Sequence, residues 1–213
     1  MPSRSDSEAA VLTALTTEHF VQQTIIGTTT SEMASRSSIY IMALSSALVA
    51  TGFVIQSAKM LLPFVAAVLP SICLLGIFTI LRLVDIAAEN MQAHICIARI
   101  RGHYRTMGDV AAVQFAKEFG RWPENDAEPS LRTGPLLAYL TTAATMIAFI
   151  NAIVAGAGVA LLAFHLASDV VVALALGITS MVVLVVGFYT YQRFRTMDMV
   201  RIAREYGSGR AVL

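Results

Sequence analysis

Charge is scarce in this sequence. Only 14% of its 213 residues are Asp, Glu, Lys or Arg, against roughly 25% in an average soluble domain. That deficit excludes a disordered or highly acidic chain. With 15 basic residues against 14 acidic ones, there is also no basic surplus to hold a nucleic acid. Two cysteines rule out a disulfide framework. Thirteen glycines and six prolines are too few for a collagen-like or low-complexity chain. A net charge of +1 selects no partner by bulk electrostatics. What is present is apolar: 56% hydrophobic residues and a mean hydropathy of +0.69. The class left standing is an integral membrane protein, all-α, because a chain crossing lipid must satisfy its backbone internally.

A spanning helix needs about 20 mostly apolar residues to cross about 30 Å of hydrocarbon, so the gaps between charges locate the spans. Arg36 and Lys59 enclose 22 uncharged residues, Lys59 and Arg82 another 22, and Asp169 and Arg193 a further 23. Between Arg132 and Asp169 lie 36 residues, of which only His165 is ionisable. Four transmembrane helices follow, at roughly 38–57, 62–82, 136–163 and 170–191, forming two hairpins with short outer turns. A soluble bundle would show a polar stripe on each helix; 170–187 carries only Thr179 and Ser180.

Fourteen of the 15 basic residues fall on one side of this arrangement, Lys59 being the exception. The positive-inside rule makes that side cytoplasmic, with both termini inside. Tyr40, Tyr139, Tyr189 and Tyr191 then fall near the cytoplasmic interface. The first 36 residues contain no apolar run and do not read as a signal peptide, so the first span is expected to be retained as an anchor. The expected organisation is an N-terminal cytoplasmic helix (1–36), hairpin 1 (37–82), a cytoplasmic helical extension and loop (83–135), hairpin 2 (136–191) and a basic cytoplasmic tail (192–213). The tail's arginines face anionic lipid, each contributing on the order of 1 kcal/mol when close.

Within the cytoplasmic parts, 7–26 reads as a helix whose apolar stripe is interrupted by Glu18, His19 and Gln22. It lacks the Lys and Arg of a membrane-surface helix. The most ordered pattern is Ile86, Asn90, Ala93, Ile97, Ile100 and Tyr104, a heptad seam continuing span two to about Gly102 or Gly108. It either packs on the protein's own first or last helix or forms a subunit interface. Asn90 takes an a-type position that can fix register. Asp109 is a candidate cap for a short helix to about Phe119, and 122–129 is a loop with two prolines and three acids.

Polar residues in the spans are costly and face protein or water. Asn151, near the middle of span three, is either an interhelical hydrogen-bonding group or a pore contact. At the cytoplasmic mouth, Glu32 and Arg36 are spaced to pair, and Asp85 and Glu89 are spaced to repel. Arg36 is placed to offset either acid, or the two acids form a cation-attracting mouth. Small residues at Ala43 and Ala47, and at Ala152, Gly156 and Ala160, mark close helix packing. Pro70 falls inside span two, where a kink is expected.

No motif of a known catalytic class is present. Cys73 and Cys96 lie about 34 Å apart on a continuous helix. His94 and His103 are half a turn out of phase, so no catalytic residue, cofactor or metal site is expected.

Two stretches, Ser31-Glu32 through Ser45-Ser46-Ala47-Leu48-Val49-Ala50 and Ile97-Ala98-Arg99-Ile100-Arg101-Gly102-His103-Tyr104, resemble uncharacterised multi-pass membrane proteins of actinobacteria. The resemblance implies a bacterial inner-membrane location and no activity. The pairing of membrane hairpins with cytoplasmic helices is also similar in architecture to small bacterial antiviral effectors. The expected function is a non-enzymatic oligomeric interaction or regulatory module. The alternative is an ion channel or membrane-permeabilising effector. Expected partners are membrane lipids, further copies of the chain and a cytoplasmic protein, with no nucleic acid.

Overall fold

The structure, a computed structural model, describes residues 4–115 and 140–207. It is all-α: 93% helical, with no strand among the described residues. The helices are α1 (Arg4–Val54), α2 (Ala58–Arg105), α3 (Asp109–Gln114), α4 (Ala143–Ala167) and α5 (Val170–Gly207). By length and composition α1, α2, α4 and α5 can each cross a membrane. At 1.5 Å per residue α1 is about 76 Å long and α2 about 72 Å, each more than twice the hydrocarbon thickness.

The N-terminal helix and span one, expected as separate pieces, are a single helix. Gly27 and the surrounding threonines are weak helix formers because free hydroxyls compete for backbone groups. Here the hydroxyls are turned back onto the helix. Thr24 donates to the Phe20 carbonyl at 2.9 Å, Thr28 to Thr24 at 2.9 Å, and Thr29 to Ile25 at 2.7 Å. The competition is thereby removed. The inward face of α1 recurs at three- and four-residue steps through Leu15, His19, Gln22, Ile26, Thr29, Met33, Ser37, Tyr40, Leu44, Ala47 and Thr51.

The ends are set by local chemistry. A tight turn links α1 to α2, the Ser57 N–H donating to the Val54 carbonyl and Met60 N–H to Ser57. α2 continues through Pro63 and Pro70 and stops at Arg105. Gly108, at φ 140°, turns the chain into α3, a conformation that L side chains rarely adopt. Gly108 is thus the N-cap; Asp109 is the first helical residue and makes no side-chain cap. The expected end at Phe119, the 122–129 loop and Tyr139 lie outside the described residues. α4 begins at Ala143, where Thr142 caps it by accepting the Thr145 N–H; the expected start at 136 lies outside the described residues. Ser168, in the left-handed region at φ 54°, ends α4. Asp169 caps α5, its Oδ1 accepting from Val171 N–H at 2.8 Å and Val172 N–H at 3.2 Å.

The chain forms two compact units, with α1, α2 and α5 each contributing to both. One comprises 1–32, 86–133 and 196–213, and its described core includes Thr29, Ile86, Ala93, Ile97, Ala98 and Ile100. The other comprises 33–85 and 134–195, with a core of Tyr40, Ile72, Ile80, Leu83, Val84, Ile147, Ala148 and Ala152. The second unit holds the apolar helical segments and leaves much of their surface open: Leu48, Phe53, Phe78, Leu162, Leu166, Val171 and Val183 are all exposed. In water such surface costs on the order of 25 cal/mol per Å²; facing lipid it costs nothing. This is the surface of a multi-pass membrane protein.

Candidate functional site

Four polar clusters tie the helices together, three of them in the unit that carries the spans. The first is centred on Asn151 of α4, which is 6% exposed. The Tyr40 hydroxyl of α1 donates to its Oδ1 at 3.4 Å, and its Nδ2 donates to the Cys73 carbonyl of α2 at 3.3 Å. One carboxamide therefore joins three helices. It fits because α2 carries Gly76 at the contact, where any Cβ would overlap the Asn151 carboxamide. An interhelical bond of this kind contributes about 0.6–2 kcal/mol in a bilayer. Asn151 is thus a buried, bonded group.

The second cluster joins α4 to α5. Thr145 and Gln192 are 4% and 7% exposed. The Thr145 hydroxyl donates to Gln192 Oε1 at 3.2 Å, and Gln192 Nε2 donates to the Thr142 hydroxyl at 3.3 Å. The two threonine hydroxyls are 2.8 Å apart. The amide satisfies both ends of the side chain, which an apolar setting demands. Further along the same two helices, Gly156 and Gly177 face one another. A Cβ at Gly177 would lie 2.7 Å from the Gly156 carbonyl oxygen and 2.8 Å from Ala160 Cβ. The small residues read from span three are therefore a close-packing surface, and their counterpart is Gly177.

The third is an ion pair. Arg195 of α5 donates to Asp85 of α2 at 2.6 Å, with both side chains about 40% exposed. This corrects the expected offset of Asp85 by Arg36: the cation comes from the last helix, 110 residues away in sequence. Glu32, Arg36 and Glu89 each make an interaction within the chain.

The fourth lies in the other unit. The seam expected as an own-helix contact or a subunit interface is covered within the chain: Ile86, Ala93, Ile97 and Ile100 are 0–6% exposed, and Asn90 and Tyr104 are half-buried. The Thr29 hydroxyl of α1 donates to Asn90 Oδ1 at 3.1 Å. Of the two readings of this seam, the own-helix contact accounts for Ile86, Ala93, Ile97 and Ile100, which the chain itself covers. Tyr104 also packs its ring on Phe115, centroids 5.4 Å apart.

His19 and His94 belong to this unit too. Burial, and then the positive charge of Arg101, hold both imidazoles below the ordinary histidine value. His19 Nε2 lies 3.1 Å from Gln23 Nε2, while its Nδ1 is buried without a hydrogen-bond partner. Among the described residues no three His, Cys, Asp or Glu side chains are grouped as a metal would require.

Gln192, Gly76, Gly177 and Arg195 were not singled out by sequence. Gln192 was discoverable as the last polar residue before Arg193 in an apolar run, and Gly76 as the lone glycine of span two. Comparison of the chain with protein-family models, curated proteins and solved structures finds no match.

Proposed function

We propose that the chain is a non-enzymatic oligomeric interaction or regulatory module of a bacterial plasma membrane, multi-pass, with both termini cytoplasmic. The observation that carries this reading is the fate of the polar groups in the spans. Asn151, Thr145 and Gln192 are committed to helix–helix bonds and are nearly inaccessible. They serve as fasteners, which suits a module whose working surface is its exterior. The basic flanks of the spans support the cytoplasmic assignment. The alternative, an ion channel or permeabilising effector, needs a polar path, and its leading candidate Asn151 is already bonded within one chain.

The test is the mass of the purified protein, measured by native mass spectrometry from nanodiscs. Defined multiples of the 22.9 kDa chain are expected. Single chains at every concentration would reject the oligomeric module.

A further inference from the structure

We propose that the contact between the first part of α1 and the end of α2 is a latch that acid opens, with His19 as its sensor. The contact lies within the unit made of 1–32, 86–133 and 196–213, and it stands whether the chain is single or oligomeric. His19 is on the inward face of α1, and its two ring nitrogens are in opposite situations. Nε2 is 3.1 Å from Gln23 Nε2. That amide nitrogen can only donate, so the histidine Nε2 accepts and the ring's proton is on Nδ1. Nδ1 is buried and has no hydrogen-bond partner. The neutral ring therefore leaves one N–H unsatisfied in the closed contact, which water would satisfy in an open one. A protonated ring leaves the same N–H unsatisfied and adds a full charge to it. Turning the Gln23 amide end for end gives the charged ring an acceptor at Nε2 and nothing at Nδ1.

The charges around the ring do not make good that lack. On α1, Glu18 is exposed and takes the Gln22 amide at 2.6 Å. On α2, Arg101 stands close enough to both His19 and His94 to oppose a proton on either, and burial opposes it further. Arg99 and Arg105 add positive charge along the same helix. Glu89 is more than three turns before Arg101 and makes an interaction of its own. On α3, Asp109 is exposed. The part of α5 in this unit brings two acids, Asp198 and Glu205, with two bases, Arg201 and Arg204.

The closed contact thus binds fewer protons than the open one. It is fully stable above about pH 6.5, the ordinary imidazole value, and weakens as pH falls below it. The Thr29–Asn90 bond joins the same two helices further along and carries no titratable group. Opening bares Leu15 and Ile26 on the inward face of α1, half-buried when the contact is closed, and gives the module a surface that protons control.

The test is the hydrogen-exchange protection of the α1 amides in 4–26, corrected for the intrinsic pH dependence of exchange, in the full-length protein held in nanodiscs. Between pH 7.5 and 5.5 that protection is expected to fall several-fold, while protection of the α4 amides around Asn151 does not change. His19→Gln keeps a polar side chain and cannot take a proton; it is expected to abolish most of the fall. His94→Gln is expected to keep most of it, Arg101→Gln to shrink it, and Asp198→Asn with Glu205→Gln to leave it as it is. Equal protection of 4–26 at both pH values, an equal loss in α4, or a loss that survives His19→Gln would each overturn the inference. Should His19→Gln lower protection already at pH 7.5, the native chain decides: the loss must follow the titration of the His19 ring observed by NMR, and a loss at a pH where that ring does not titrate would overturn the inference.

Discussion

Among the described residues two asparagines stand at helix contacts, and the contrast between them is instructive. Asn151 is almost wholly buried among the spans, and both ends of its carboxamide are used, by Tyr40 and by the Cys73 carbonyl. Asn90, in the unit formed with the first part of α1, is half-buried and receives the Thr29 hydroxyl. In the unit that carries the spans no water is available to finish an incomplete set of bonds, so a polar residue arrives with its partners and with a glycine notch to hold it. In the other unit the buried seam of Ile86, Ala93, Ile97 and Ile100 is apolar, and Asn90 at its margin adds one bond to α1. The same residue type joins three helices in one region and two in the other.

Breaking the seam should have the largest effect. Ile97→Glu with Ile100→Glu places two carboxylates in a buried face, each costing several kcal/mol. Loss of protection of the α2 amides in 86–105, read by hydrogen exchange, is the expected outcome. Next is Gly76→Val, which drives a side chain into the Asn151 carboxamide; overpacking of this kind costs about 1–3 kcal/mol. It should lower the midpoint of unfolding in mixed detergent. Asn151→Leu removes the bonds without the clash and should cost less, about 0.6–2 kcal/mol. Asp85→Asn should cost under about 1 kcal/mol, since an ion pair this exposed is screened by solvent.

Acid should separate the two units most gently. His19 and His94 both titrate below the ordinary histidine value. The unfolded chain therefore takes up protons first as pH falls past about 6.5. The stability these histidines confer is complete above that pH and is lost below it. Exchange at the amides of 86–105 should quicken between pH 7.5 and 5.5, while that around Asn151 should not change.

Local features were the legible ones. Gaps between Arg36, Lys59, Arg82, Asp169 and Arg193 located the spans because charge is excluded from lipid wherever it stands in the chain. The seam from Ile86 was visible because periodicity is local, and Asn151 because a lone polar residue stands out in an apolar run. Pairings were not legible. The Asp85–Arg195 bond links residues 110 apart and the Thr145–Gln192 bond residues 47 apart; composition favoured the nearer Arg36. The continuity of α1 was not legible either, because Gly27 and its neighbouring threonines are weak helix formers and the bonding of the threonine hydroxyls to their own helix is visible only in the structure.

The most direct test of the claim that the polar groups of the spans are fasteners is ion flux through liposomes carrying the folded, inserted protein, beside empty liposomes. The account predicts no flux above empty vesicles, for the native chain and for Asn151→Leu alike. Reproducible flux through the native chain that Asn151→Leu abolishes would contradict it, placing Asn151 on a conducting path.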